Sequence, residues 1–463
     1  MNIFKFLQTP EQYKITPENL EEKLVWYSIV WTFGIYFIGG LYVLGAILPW
    51  FLFGILCWRW WRQDPDTPLR ERIRIPIGIW LWVGGMVFMQ VSLIMGHLDY
   101  YLEMGQIIKS SIGWAKGWAI LALFPMAGCL PIRPKLLYRA AALVCTMVVL
   151  FSPIFIAAYY AKLPAQLFIS PLRAIGGPGP EFFEFRLYEI DPGDNSPRWR
   201  LFTPWAPALG FVANIYFFMI LREPCKKWKY MGIAGCIMMC QISKSRLALL
   251  CLPVVWILVE VLSRISRPIA LMIAGVIAST GGVTLPILMD GLESFSEQFA
   301  AARKDSSRVR AALGRIAIYR WQTEAPIWGH GIVESGPHMV EYMPIGSHHT
   351  WYGLLFVKGI VGFAALAVPM IYSLGDLLIK SQRNDTAKLG LTMLLVIFLY
   401  TFGENLEILA YLFWPGLIAI GMGFLERPNE EEPSPTLPMG TIAQIENQNT
   451  NQNTNQNKEE ITS

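Results

Sequence analysis

Charged side chains are scarce in this chain. Only 16% of its 463 residues are charged, whereas 54% are hydrophobic and 18 are tryptophan. This composition lies outside the range of soluble globular proteins and is typical of polytopic membrane proteins. The net charge of +4 is small and spread along the chain, which argues against a nucleic-acid partner. The sequence therefore predicts an all-α integral membrane protein in contact with membrane lipid.

Patterns for disulfide bonds and metal ions are also missing. The seven cysteines lie in apolar segments or in a short basic loop, so we expect no disulfide bonds. Cys236 and Cys240 have the i, i+4 spacing of one helix face, but no histidine or carboxylate accompanies them, and small buried apolar side chains are the better interpretation. No HExxH pair is present. We therefore expect neither a metal ion nor another cofactor.

The two ends of the chain have no long apolar run. Residues 1–23 lack the apolar core of a cleavable signal peptide and are expected to remain as a cytoplasmic arm. Residues 426–463 include the repeat NQNTNQNTNQN and predict a disordered cytoplasmic tail. We expect both ends to tolerate truncation.

Between the ends, residues 24–425 contain apolar runs that approach the roughly 20 residues needed for a membrane-spanning helix. The runs predict about twelve spans, at 24–40, 41–58, 75–96, 114–130, 140–161, 203–221, 230–242, 247–262, 268–289, 351–374, 389–402 and 408–425. The runs 230–242 and 389–402 are short. They have to begin earlier, tilt or stop part-way through the bilayer.

Lysine and arginine are concentrated in alternate loops, and by the positive-inside rule those loops and both termini are cytoplasmic. The even number of spans agrees with this orientation. Two long loops, 162–202 and 290–350, then lie on the extracytoplasmic side, the second between the ninth and tenth helices. We expect the function to reside in these two loops.

Three ionisable residues lie at the ends of apolar segments on that side: Arg246 in SKSR, Arg315 in GRIAIYRW and His348 in GSHHTWYG. A guanidinium offers bidentate hydrogen bonds to phosphate oxygens, so a lipid-linked phosphate is a natural partner. A neutral histidine at a helix start is suited to taking a proton from a sugar hydroxyl. The alternatives are a snorkelling Arg246, a solvated helix around Arg315 and a structural His348.

Three motifs together resemble the O-antigen ligase and O-antigen polymerase superfamily. The first is Ser-x-Ser-Arg, here 243–246. The second is Arg315 with Tyr319, followed by the Pro-x-x-Gly-x-Gly of 326–331. The third is His348 with Gly359 eleven positions later. The chain departs from the pattern at His349, where the family has asparagine.

The resemblance implies a GT-C-like glycosyltransferase of a bacterial inner (plasma) membrane. Such an enzyme takes a glycan from undecaprenyl diphosphate and passes it, with inversion and without a metal, to a glycan or lipid-linked acceptor. It implies that Arg246 and Arg315 bind the diphosphate and that His348 is the catalytic base. A second group of candidates contains His349, as the alternative histidine to His348. It also contains Arg320, Arg186 and Arg173 for binding glycan or phosphate, and for each of these arginines a surface-loop role is the alternative.

Two other classes of function remain as rivals. A transporter or flippase of a lipid-linked glycan would bind through the same arginines without catalysis, but transporters place charges near the bilayer midplane and have related halves. In this chain the candidate cations lie at one membrane–water boundary, and the sequence has no visible internal repeat. A scaffold in an export complex would tolerate replacement of each of the three residues.

Overall fold

A computed structural model describes residues 13–64, 66, 72–191, 195–265 and 304–425, with the side chains of 304–307 excepted. The predicted ninth span at 268–289, the first part of the second long loop and the predicted tail lie outside the described residues.

Helices make up most of this part of the chain. In chain order they are α1 (Leu20–Val30), α2 (Thr32–Phe37), α3 (Leu41–Trp61), α4 (Ile77–Asp99), α5 (Met104–Lys116), α6 (Ile120–Ala127), α7 (Pro134–Tyr160), α8 (Ala206–Ile220), α9 (Lys226–Ile242), α10 (Arg246–Leu262), α11 (Lys304–Glu324), α12 (Thr350–Ser381), α13 (Asp385–Tyr400) and α14 (Leu406–Phe424).

Within the described residues, six helical segments are long and apolar enough to cross a membrane. They are Leu41–Trp61, Ile77–Asp99, Met104–Ala127, Pro134–Tyr160, Thr350–Ser381 and Leu406–Phe424. Each of the six overlaps a segment predicted to span. The other predicted spans in this part of the chain are shorter or broken helices: α8 has 15 residues and α13 has 16, while α1 and α2 are separated at Trp31.

Glycines allow the helices to approach closely, as is common where membrane helices pack. A β-carbon at Gly85 of α4 would lie 2.2 Å from the main-chain oxygen of Ala365 in α12. One at Gly235 of α9 would lie 2.1 Å from the main-chain oxygen of Cys145 in α7. These two helix pairs therefore pack backbone against backbone.

Helix α12 is broken at Gly359, whose φ of 59° and ψ of −162° are not helical. The turn 326–331, PIWGHG, lies in the break and replaces the lost helical hydrogen bonds. The amides of His330 and Gly331 donate to the oxygens of Phe356 and Val357, each over 2.9 Å, and the amide of Ile360 donates to Pro326 over 3.0 Å. The start of α12 is thus a short half-helix tied to the second long loop.

The first long loop contains strands, which an all-α prediction omits. Strand β1 (Gln166–Ile169) pairs antiparallel with β2 (Glu184–Arg186), and β3 (Glu189–Ile190) pairs with β4 (Pro197–Arg198). Arg200 is buried beneath this loop and donates to Glu184 Oε2 over 2.9 Å. The loop is therefore a small folded cap and not an irregular connection.

The described part of the N-terminal arm is docked on the helices. Arg139 donates to the main-chain oxygen of Tyr13 over 3.0 Å, and Arg133 donates to that of Thr16 over 2.7 Å. The buried Glu22 pairs with Arg133 at 2.7 Å. Helix α1 begins at Leu20, within the predicted arm of residues 1–23, and the arm's last residues contribute contacts that the sequence did not indicate.

Candidate functional site

Four chain segments meet at one end of the helices, which we call the loop end. The amide of Trp199 donates to the oxygen of Ile242 at the end of α9 over 3.1 Å, and the amide of Thr350 donates to Thr401 at the end of α13 over 2.8 Å. A β-carbon at Gly403 would lie 2.8 Å from Leu247 in the first turn of α10. The loop end therefore brings together the turns that precede α10, α12 and α14.

The two serines of SKSR shape the turn between α9 and α10. The Ser243 hydroxyl donates to the main-chain oxygen of Cys240 over 3.0 Å, and the Ser245 hydroxyl accepts from the amide of Ala248 over 3.3 Å as the N-cap of α10. Lys244 between them has a φ of 52°. Arg246 follows as the half-buried first residue of α10. The turn thus fixes Arg246 at the loop end.

His349 caps helix α12. Its Nδ1 accepts from the amide of Tyr352 over 3.3 Å, and its ring stacks on the Tyr352 ring with a centroid distance of 3.8 Å. Asparagine is among the residues that cap helices best, so His349 performs here a role that asparagine performs well. Because Nδ1 accepts this bond, the neutral ring carries its proton on Nε2.

His348 precedes the cap with a φ of 63°, in the left-handed region that most residues avoid. Its side chain is half-buried. Burial, and secondarily the charge of Arg310, lowers the pKa of His348 to about 4. The imidazole is therefore neutral near pH 7, and the ring nitrogen that carries no proton is able to accept a hydrogen bond from a hydroxyl.

Helix α11 packs on the first half of α12 through the face that carries Gly314 and Ala317. A β-carbon at Gly314 would lie 2.8 Å from the Tyr352 ring, and Ala317 is buried against Phe356. Arg310 lies one turn before Gly314 on the same face. Its charge acts on both His348 and Glu404. Arg310, although its side chain is exposed, is thus an α11 cation close enough to act on both groups at the loop end.

Arg315 lies on another face of α11. At about 100° per residue, it is roughly 140° around the helix from Arg310. It is exposed, on the side of Tyr319, whose side chain is 67% exposed. The sequence singled out Arg315 through its motif, whereas Arg310 could have been found from the spacing of 310, 314 and 317 on one face.

Glu404 is a buried carboxylate in the turn between α13 and α14. Its Oε2 accepts from Trp205 Nε1 over 3.1 Å, and its main-chain oxygen accepts from the Thr350 hydroxyl over 2.7 Å. Burial raises the pKa of Glu404 to about 7, although Arg310 opposes the shift. Sequence reasoning missed this residue. The only signal was a carboxylate in TFGENLEI between two apolar segments.

Arg320 binds to protein carboxylates and an aromatic ring. It donates to Glu324 over 2.8 Å and to Glu334 over 2.6 Å, and it lies 5.1 Å from the centre of the Phe356 ring. Its hydrogen bond lowers the pKa of Glu324. The buried His330 contacts the same Glu324 at 2.8 Å. This cluster fastens α11 and the PIWGHG turn to α12.

The two arginines predicted in the first long loop lie in its folded cap. Arg186 of β2 donates to Glu184 over 3.1 Å and to Gln166 over 3.2 Å. Arg173 is exposed in the short 3₁₀ helix Pro171–Ile175.

Among the described residues, no group of three or more histidine, cysteine, aspartate or glutamate side chains is arranged to hold a metal ion. The polar groups that converge at the loop end are instead two arginines, a neutral imidazole and a carboxylate. Such a set suits an anionic ligand and a hydroxyl.

The helices and their composition place the chain in the class of helical membrane proteins. Compared with models of protein families and with curated proteins, it matches none.

Proposed function

We propose that the chain is a membrane glycosyltransferase that polymerises or ligates glycans carried on undecaprenyl diphosphate. In this proposal it has about twelve spans in a GT-C-like arrangement, lies in a bacterial inner membrane with both termini cytoplasmic, and acts on the extracytoplasmic face. The observation that carries the proposal is the meeting of Arg246, His348 and Arg310 at one end of a set of membrane-type helices.

The reaction needs two kinds of assistance. The bond between the sugar's anomeric carbon and the diphosphate oxygen breaks, and its electron pair leaves with the diphosphate. Arg246 and Arg310 stabilise that growing negative charge. Arg315, on another face of α11, is the further diphosphate-binding candidate that the sequence motif adds. The acceptor hydroxyl attacks the anomeric carbon from the opposite face and passes its proton to a base at the loop end. His348, as a neutral imidazole, receives the hydrogen bond of that hydroxyl and orients it.

The test uses cells whose only copy of the protein carries His348→Ala, with His338→Ala as the matched control. His338 lies in the same loop, is exposed and contacts Tyr342 edge to face. We expect the His348 variant to reduce polysaccharide at least about 100-fold at equal membrane abundance, since a hydrogen-bonding acid or base group contributes about 10²–10⁴-fold. The control keeps normal output.

The nature of the accumulated donor separates the two activities. Single lipid-linked repeats would indicate a polymerase, and long lipid-linked chains a ligase. Normal product from His348→Ala, Arg246→Ala and Arg310→Ala alike would contradict the enzyme proposal.

One observation favours a transporter or flippase as the second candidate. Lys358, 3% exposed, lies in α12 beside the break at Gly359, and the charge of Glu407 in α14 acts on it. Buried charges within membrane helices often mark substrate pathways. A transporter would lose glycan translocation in Lys358→Met while His348→Ala remained active, which is the opposite of the pattern expected for the enzyme.

A further inference from the structure

The buried Glu404 carboxylate occupies a central position at the loop end. The segment before α8 reaches it through Trp205, the start of α12 through Thr350, and the first turn of α10 through Leu247, which lies against the neighbouring Gly403. Glu404 is therefore surrounded by the segments that carry Arg246 and His348.

The two oxygens of the Glu404 carboxylate differ in their hydrogen bonding. Oε2 accepts the Trp205 hydrogen bond over 3.1 Å. Oε1 makes no hydrogen bond to any residue that the structure describes. Arg310 acts on Glu404 through its charge, yet no ion pair joins the two side chains within the described ranges. One carboxylate oxygen is thus left for a ligand.

We infer that Glu404 takes the proton that the acceptor hydroxyl gives up, so that His348 orients the hydroxyl and Glu404 is the base. The inference rests on the proposed function and deepens it. In the step, the hydroxyl oxygen bonds to the anomeric carbon, its O–H electron pair stays on that oxygen, and the proton bonds to Oε1 of Glu404. The sugar–phosphate bond breaks, and the diphosphate leaves with its electron pair.

The acid–base properties of the two residues agree with this division of roles. His348 has a pKa of about 4 and holds a proton poorly near neutrality, in part because Arg310 repels its cation. Glu404 has a pKa of about 7, where a base is most effective at neutral pH. Among the ionisable groups, Arg310 of α11 acts on Glu404 through its charge and Glu404 acts on Tyr400 of α13, while Arg246 and His348 lie on the adjoining segments.

The test compares Glu404→Gln and Glu404→Asp with the full-length wild type in isolated membranes that contain their own lipid-linked glycan. Glutamine keeps an oxygen for Trp205 but cannot take the proton. We expect its transfer rate to fall at least about 100-fold, while the aspartate variant retains part of the rate. Binding of undecaprenyl diphosphate to purified protein changes less than two-fold in either variant. Glu341→Gln, at an exposed carboxylate of the second long loop, is the matched control.

The pH dependence gives a second readout that a structural role would not change. The base must be ionised, so the wild-type rate falls as the pH drops through about 7. The pH–rate profile of His348→Ala, measured on its residual activity, keeps a midpoint near 7. The profile of Glu404→Gln has no such midpoint.

A wild-type rate in Glu404→Gln would overturn the inference and leave the proposed function intact. So would a pH–rate profile that loses its midpoint near 7 in His348→Ala but keeps it in Glu404→Gln. Wild-type protein that neither transfers glycan nor binds undecaprenyl diphosphate would overturn both.

Discussion

The Thr350 hydroxyl donates a hydrogen bond to the main-chain oxygen of Glu404 over 2.7 Å and accepts one from the amide of Leu406 over 3.2 Å. One side chain therefore joins the first residue of α12 to the turn that precedes α14. Because His348 lies two residues before Thr350, this bond fixes the histidine relative to the buried carboxylate.

Replacing Thr350 with valine keeps the shape of the side chain and removes both hydrogen bonds. We expect the variant to lose about 1–3 kcal/mol of stability, because a buried carbonyl and amide are left without partners. Transfer activity should fall as well, since His348 and Glu404 are no longer held together. Thr323→Val is the control, because the Thr323 hydroxyl bonds only within the exposed side of α11. Thermal unfolding in detergent and the membrane transfer assay measure the two effects, and equal behaviour of the variants would contradict the prediction.

His349 is expected to act as a helix cap and not as a base. His349→Asn should retain most activity, because asparagine caps a helix through its side-chain oxygen. His349→Ala should cost about 0.5–2 kcal/mol of stability through loss of the cap. A comparison of unfolding temperatures and transfer rates tests this. If His349→Asn were as inactive as His348→Ala, the capping interpretation would fail.

Removal of the positive charge at Arg310 should change two pKa values in a known direction. Arg310 disfavours the imidazolium of His348 and favours the carboxylate of Glu404. In Arg310→Ala we therefore expect the pKa of His348 to rise from about 4 and that of Glu404 to rise above about 7. Activity would then need a more alkaline pH. NMR titration of ¹³C-labelled histidine reports the first change, and the pH–rate profile reports the second.

Arg315→Ala is the matched control on the same helix, because both side chains are exposed and Arg315 lies roughly 140° around the helix from Arg310. It should leave the titration of His348 unchanged. An identical shift in both variants would show that the face of α11 has been assigned incorrectly.

Much of the helical arrangement could be predicted, because apolar runs of membrane-spanning length leave few other conformations in a bilayer. The SKSR turn and the region around His348 were also predicted as site segments, since serines and a histidine at helix boundaries are visible in sequence. The cap formed by β1 to β4 was not predicted. Its strands are two to four residues long and carry no clear alternation.

The selection of individual side chains required the tertiary structure. Whether Arg310 or Arg315 lies nearer His348 depends on which side of α11 packs on α12, and the contacts of Gly314 and Ala317 fix that side. The sequence did not identify Glu404 as a site residue, because a single carboxylate in a short turn is usually exposed. Its importance follows from Trp205, which is 199 residues distant in the sequence.

Gly359 provides the sharpest test of the broken helix. Its φ is 59°, and an added β-carbon would lie 2.2 Å from the main-chain oxygen of Ile327 in the PIWGHG turn. Gly359→Ala should therefore destabilise the protein by at least about 1–3 kcal/mol, the typical cost of a strained backbone conformation, and displace the half-helix that begins at Thr350. Gly375, in the same helix, has open space around its Cα. Gly375→Ala should be neutral or mildly stabilising, because alanine has a higher helix propensity than glycine.

The temperature at which each detergent-solubilised variant loses its size-exclusion peak measures the difference in stability between Gly359→Ala and Gly375→Ala. Equal stability of the two variants would mean that the turn does not hold α12 open, and the placement of His348 and Lys358, which both precede Gly359, would have to be reconsidered.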